Sequence, residues 1–243
     1  MQAFWLSKLL FGPGHIHAPR GRKVGNVMQF TTRKSSPRTF RAGTRERRFA
    51  ASARPRRTLA AAVFVTDLDW IALAHENDVI YGLTFGHATP RQAVAALGRV
   101  LNTTEHTLSV AQHADDAEST PEIGGIIDRL RRFAAGEHVA YAELRIDEAH
   151  LTSFGRRVVA ACRRIPRGQT RSYGQLAAVC GSPGAARAVG QVMAKNRYPL
   201  IVPCHRVLAA GGALGGFSAP QGLAMKRRLL MMECQTMCVP QSS

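Results

Sequence analysis

Three apolar runs, at residues 61–66, 70–75 and 79–85, follow one another across turns of three residues, Asp67-Leu68-Asp69 and Glu76-Asn77-Asp78. Each run is rich in β-branched and aromatic side chains, so the spacing predicts an antiparallel meander. Thr89-Pro90 then supplies an N-cap and a first-turn proline, and Ala93, Ala96, Leu97, Val100 and Leu101 recur at helical spacing. Thr120-Pro121 repeats that signal ahead of Ile123, Ile126, Ile127 and Leu130, in a helix expected to end near Gly136. Residues 138–146 read as one more strand, which closes a small α+β domain over residues 58–150.

From residue 151 the pattern becomes helical. Phe154, Val158, Ala161, Cys162 and Ile165 share one stripe, which Pro166-Arg167-Gly168 stops. A short helix over residues 173–179, closed by Gly181, precedes a longer one that Ser182-Pro183 is expected to cap and that runs to about Lys195. Two helices joined by a tight glycine-containing turn make a helix-turn-helix. The last helix is expected to begin near Pro220 and to carry Leu223, Lys226, Leu230 and Glu233, leaving residues 234–243 as a tail.

Charge divides the chain at the same places. The net charge of +17 splits into +13 over residues 1–57, minus 8 over 58–150 and +12 over 151–233, where Glu233 is the single acid. The first block lacks periodicity and reads as a disordered basic extension; an organelle transit peptide or a nucleic-acid-binding arm fits the same composition. The other blocks are long enough for real cores, and the 45% hydrophobic content agrees. No apolar run approaches the ~18 residues that span a bilayer, so no membrane role is expected. Five irregularly spaced cysteines argue against a secreted disulfide scaffold and for a reducing, cytoplasmic setting.

The sharpest chemical feature is Asn196-Arg197-Tyr198-Pro199-Leu200-Ile201-Val202-Pro203-Cys204-His205-Arg206-Val207. Prolines and apolar residues hold the Cys204 thiol in a rigid, partly dry setting. Burial alone raises a thiol pKa; an adjacent base or cation opposes that. Lowering a thiol pKa from ~8.5 to below neutrality enriches thiolate only roughly 30-fold, about 2 kcal/mol, so such a site must also position an electrophile and help its leaving group depart. Taken alone, the segment also fits a buried structural cysteine beside a chance histidine. Cys162 and Cys180 read as structural, and Cys234 and Cys238 as a lone pair in the tail.

The second helix of the helix-turn-helix places Ala185, Ala188, Val189, Val192 and Met193 toward the core and leaves Pro183, Arg187, Gly190, Gln191 and Ala194 outside. Helices that read the major groove carry several long polar side chains. A smooth face with one arginine suits close approach to a narrow groove and insertion of that arginine, although a helix-packing surface has the same look.

Four strings, Ser172-Tyr173-Gly174-Gln175-Leu176-Ala177, Ala185-Ala186-Arg187-Ala188-Val189-Gly190, Pro203-Cys204-His205-Arg206-Val207 and Gly216-Phe217-Ser218, stand in the order and spacing of one family. The chain resembles the O6-alkylguanine-DNA alkyltransferases, also called methylated-DNA–protein-cysteine methyltransferases, strongly over residues 151–233 and more loosely over residues 59–150, while residues 1–57 match nothing in the family. The resemblance implies a ribonuclease-H-like N-terminal domain followed by a helix-turn-helix, winged-helix-like catalytic domain. It implies that Cys204 accepts the alkyl group from O6-alkylguanine, or from O4-alkylthymine, in a single turnover without cofactor or metal. His205 would be the water-linked base, Glu233 its polarising partner, Asn196 the hinge residue, and Tyr173 the proton donor to the leaving guanine. Ser218 and Pro199 would lie at the substrate, while Ala186, Gly190 and Gln191 would meet the minor groove of double-stranded DNA and Arg187 would fill the gap left by the flipped nucleotide. The partner implied is DNA and the state a monomer.

Some residues depart from the family pattern. Phe217 replaces a usual tyrosine, so the pocket rim lacks a hydroxyl, which bears on bulkier alkyl groups. Ser218-Ala219-Pro220-Gln221-Gly222 is longer than the usual two-glycine loop, and Cys234 stands where glycine is usual. The cysteines and histidines that bind zinc in some relatives have no evident match, nor does a four-cysteine sensor domain. A non-enzymatic helix-turn-helix protein that flags alkylated DNA is the alternative; the presence of Cys204 weighs against it. A Cys-His hydrolase lacks an evident oxyanion hole.

Overall fold

The structure, a computed structural model, describes residues 57–102, 106–110 and 121–235. Residues 1–56 of the basic extension expected over 1–57, the Thr120 cap and Cys238 lie outside the described residues. The expected meander forms, but across turns of two residues, Asp67-Leu68 and Asn77-Asp78, because Asp69 and Glu76 pair at the strand ends: β1 (Arg57–Thr66) pairs with β2 (Asp69–Glu76), and β2 with β3 (Val79–His87), all antiparallel. Asp69 and Asn77 at the two turns adopt φ of 63° and 53°, a conformation that Asp and Asn tolerate better than branched residues do. Strand β1 includes Arg57, the last residue of the basic block, which donates to the Tyr81 hydroxyl and pairs with Glu76.

Two further strands complete a sheet of order β4-β1-β2-β3-β5. β4 (His106–Val110), which the apolar pattern did not announce, joins β1 in parallel. The strand expected over residues 138–146 shrinks to β5 (Arg145–Ile146), parallel to β3. Its first part is a loop because Arg163 supplies hydrogen bonds that a strand partner would have given: its Nη2 donates to the carbonyls of Tyr141, Ala142 and Leu144 at 2.6, 3.1 and 2.8 Å.

Both faces of the sheet are covered, which is why its runs are almost continuously apolar. On one face Leu59, Ala61, Val63, Ala72 and Ala74 pack against Ala93, Leu97 and Leu101 of α1 (Pro90–Leu101), whose N-cap Thr89 accepts from the Gln92 N–H. On the other, Phe64, Ile71, Leu73, Leu83 and Phe85 share one core with α2 (Pro121–Ala134) and with the helices that follow. The second half of the chain thus folds directly onto the sheet.

That half contains α3 (Ser153–Arg163), α4 (Tyr173–Val179), α5 (Ala186–Ala194) and α6 (Leu223–Gln235), with a short parallel pair of β6 (Arg171–Ser172) and β7 (Val207–Leu208). Ser172 and Gln175 close a reciprocal capping box at the start of α4. Two helix starts differ from expectation. Ser182 does not cap α5: its carbonyl accepts the Ala185 N–H within a turn, Gly184 takes φ of +90°, and the helix begins only at Ala186. Likewise residues 219–222 form a turn closed by the Gly222 N–H on the Ala219 carbonyl, which delays α6 to Leu223. Its core residues are Met225 and Leu229, whereas Leu223 is exposed.

Candidate active site

Cys204 opens a single 3-10 turn, Cys204–Arg206, reached by a loop that leaves α5 at Asn196. The Asn196 side chain ties that loop at both ends: its Nδ2 donates to the Val202 carbonyl at 3.0 Å and its Oδ1 accepts the Tyr198 N–H at 3.0 Å. The sheet grips the same loop. The Leu83 N–H donates to the Arg197 carbonyl at 2.8 Å, and the buried Tyr198 hydroxyl donates to the Asp147 carbonyl. Leu200 is held at φ of +73°, a strained conformation for a bulky residue and a sign that its surroundings dictate it.

Behind the thiol lies a buried charged cluster. His205 Nε2 and Glu233 Oε1 are 2.9 Å apart with neither side chain exposed. An ionised carboxylate only accepts, so Nε2 carries the proton and Nδ1 keeps the free lone pair. Nδ1 is buried and has no hydrogen-bond partner among the described residues. Arg206 binds the same carboxylate through Nε at 3.1 and 3.0 Å and Nη2 at 2.7 Å, while its Nη1 donates to the Ile165 carbonyl at 2.6 Å. Burial would push the Glu233 carboxyl up, but the hydrogen bonds and charges of His205 and Arg206 pull it down to about 2. Burial lowers the His205 pKa, and Glu233 only partly opposes that.

Burial likewise raises the Cys204 pKa, opposed by the Asn196 amide, the Lys226 ammonium and the backbone N–H groups of Cys204 and His205. The site at rest therefore holds a neutral thiol near a neutral imidazole. Burial also lowers Lys226, to about 8, against the pull of the thiols. Lys226 is completely buried, donates from Nζ to the Val207 carbonyl at 2.7 Å, and lies 6.0 Å from the centre of the Phe217 ring.

Cys204 retains 6% of its surface and lines a cavity of about 410 Å³ together with Tyr173, Gly190, Met193, Phe217 and Ser218. Burial and the neighbouring thiol push the Tyr173 phenol up, keeping its proton available. A larger groove of about 930 Å³ shares Ala194, Phe217 and Ser218 with this cavity and carries Arg99, Lys195 and Arg197 along its walls.

Cys204, Tyr173, Ser218 and Gly190 thus converge on one cavity, with His205, Glu233 and Asn196 behind or beside the thiol. Pro199 lines the larger groove instead. Arg187 and Gln191 are exposed on α5, Ala186 is half-buried there, and none of the three lines the cavity. Sequence reasoning missed Arg206 and Lys226. Lys226 stands seven residues before Glu233, hence on the same helical face, which was the available signal. Among the described residues no group of three His, Cys, Asp or Glu side chains has metal-binding geometry, and no helix is long and apolar enough to cross a membrane.

Residues 153–235 match the family described as 6-O-methylguanine DNA methyltransferase, DNA binding domain. The methylated-DNA–protein-cysteine methyltransferase of Mycobacterium tuberculosis is 44% identical over 117 residues, which cover 47% of this chain and 68% of the relative. Its counterpart in Salmonella typhimurium is 43% identical over 110 residues, 45% of this chain and 63% of the relative. In structure, the Mycobacterium tuberculosis OGT protein crystallised in complex with DNA is similar with a TM-score of 0.56 at 30% identity, over 72% of this chain and 93% of that one.

Proposed function

Since the chain belongs to the methylated-DNA–protein-cysteine methyltransferase family, we propose that it repairs DNA by moving the alkyl group of O6-alkylguanine onto Cys204, once per molecule. The observation that carries this reading is the convergence of a barely accessible thiol and the Tyr173 phenol on one cavity large enough for a purine, with a buried His205–Glu233 pair behind the thiol.

In this reading the Cys204 sulfur attacks the alkyl carbon in line with the carbon–O6 bond. A sulfur–carbon bond forms and the carbon–O6 bond breaks. The thiol proton passes through a water to His205 Nδ1, and the electron pair left on guanine is neutralised by the Tyr173 proton. Burial disfavours both Cys204 thiolate and His205 imidazolium at rest, so the anionic Glu233 acts chiefly as the imidazolium forms. Arg206 keeps Glu233 ionised and fixed. The product is a thioether, which has no acyl carbonyl for water to attack, hence one turnover. Acceptor and proton relay are both side chains, so no cofactor or metal is required.

With only 6% of its surface exposed, Cys204 is out of reach of a base still stacked in a duplex, and extrusion costs a few kcal/mol. The exposed Arg187 on the small-residue face of α5 would fill the gap from the minor groove, with Ala186, Gly190 and Gln191 beside it. Ser218 would face O6, Asn196 would hold the hinge, and Pro199 would bound the entrance. O4-alkylthymine presents the same carbon–oxygen bond on a smaller ring and is a further substrate. The sheet order supports a ribonuclease-H-like first domain over residues 58–150, and the β6–β7 pair beside α4 and α5 supports a winged-helix kinship for residues 151–233. We place this monomer in the cytoplasm, where its free thiols stay reduced, with residues 1–57 dispensable for transfer.

Titrating a duplex that carries one O6-methylguanine with the protein tests this. Restored guanine should equal the protein added and then stop. A protein that binds the duplex and restores no guanine is a damage-flagging module instead.

A further inference from the structure

We propose that Gln221 is a positioning residue for the alkyl pocket: it pins the loop bearing Phe217 and Ser218 to the end of strand β3, so that the N-terminal sheet sets the width of the pocket. The inference rests on the cavity beside Cys204 being the alkyl-transfer pocket. The β2–β3 ladder slips between Trp70↔His87 and Ala72↔Thr84, which places a bulge at Phe85 and Gly86. A bulge takes a carbonyl out of the ladder and re-aims it. Here the Gly86 carbonyl accepts Gln221 Nε2 at 2.9 Å, and Asp69 Oδ2 stands 3.3 Å from the same nitrogen. Gly86 has φ of +78°, and a β-carbon built on it would lie 2.8 Å from Gln221 Oε1 and 3.3 Å from Met225 Cε. The glycine is therefore required twice, by backbone conformation and by the close seat of the glutamine.

The adjacent Phe85 meets Phe217 edge-on at a centroid distance of 6.4 Å. Phe217 and Gln221 thus bracket Ser218, and both are anchored on the same two residues of β3. Gln221 falls in the stretch that lengthens this loop, and it touches none of the cavity. Its effect must pass through the wall it holds. Releasing it lets the Phe217–Ser218 wall retreat, which slows methyl transfer, where close packing matters, more than transfer of a bulky group.

The test compares rates of transfer from O6-methylguanine and O6-benzylguanine placed in the same duplex. Gln221→Ala should raise the benzyl-to-methyl rate ratio about fivefold, the size of one lost hydrogen bond. Gly86→Ala should shift it the same way, and the double variant no further than the larger single change. Gln221→Glu, which lacks the N–H donor at neutral pH, should behave like Gln221→Ala at pH 7. An unchanged ratio in Gln221→Ala with melting temperature preserved overturns the proposal, as does an equal loss on both substrates or full additivity in the double variant. If the wild-type protein transfers neither group, the reading of the pocket fails first.

Discussion

The sheet half and the helical half share one apolar core but bury different things. Among the described residues the sheet half buries one polar side chain, Thr84, whose hydroxyl donates to the Ala93 carbonyl at 3.1 Å. The helical half buries His205, Lys226 and Glu233, all within one site. Taking a charge out of water costs several kcal/mol unless it is paired and hydrogen-bonded. The helical half meets that cost with Arg206 on Glu233 and the Val207 carbonyl on Lys226. Stability can be had from apolar side chains, as the sheet half shows, so a concentrated set of buried ionisable groups marks where the chemistry lies. Two of the three buried thiols among the described residues make the same point: Cys162 sits in the apolar core, pushed up by burial, whereas Cys204 faces a cavity, an amide and an ammonium.

The strongest way to break this contrast is to exchange the thiols one at a time. Cys204→Ala should abolish transfer in a folded protein, whereas Cys162→Ala should leave the transfer rate within about twofold and lower the melting point slightly; single-turnover kinetics and thermal melts on both variants decide it. Next in size, Glu233→Gln should slow transfer roughly 10²- to 10⁴-fold, the range of general acid–base assistance. It should also destabilise by about 3–5 kcal/mol, because Arg206 loses its buried partner; denaturant melts give the second figure. On the sheet side, Ile71→Ala should cost about 2–5 kcal/mol in the same melts while leaving the transfer rate of the folded fraction unchanged. A loss of rate equal to that of Glu233→Gln would erase the division between the halves. Arg187→Ala should slow repair in duplex about tenfold and spare reaction with free O6-benzylguanine, since only the duplex needs extrusion.

Acid sharpens the comparison with a smaller effect. The folded Glu233 pKa is about 2 against an ordinary 4.5, so between those values the unfolded carboxyl takes up a proton that the folded one refuses, and stability falls as pH drops through that window. Glu233→Gln should lose that part of the acid limb, as pH-dependent melts will show. Lys226 acts with the opposite charge: its folded pKa of about 8 lies below 10.5, so it contributes a rise in stability as pH climbs between them.

Local chemistry was legible in the chain. The polar turn segments announced the meander and Thr89-Pro90 announced α1. What depended on distant partners was not. β4 exists because β1 offers an open edge some 40 residues earlier in the chain, and residues 138–144 forgo a strand because Arg163 reaches back to their carbonyls. Ser182-Pro183 looked like a helix start, yet Gly184 put a turn there. In the site, the order of Cys204, His205 and Glu233 could be read from the family resemblance. Arg206 and Lys226 looked like ordinary members of a basic block, and only the fold reveals that one grips Glu233 and the other is sealed beneath Phe217.

The central claim, that the buried charges serve one thiol, is tested most directly by weighing the protein after incubation with an excess of duplex containing O6-methylguanine and locating the added mass by peptide mapping. The account predicts a gain of one methylene equivalent per chain, saturating at one and confined to the peptide that contains Cys204. An unchanged mass, or a methyl group found on Cys162, Cys180 or Cys234, would contradict it.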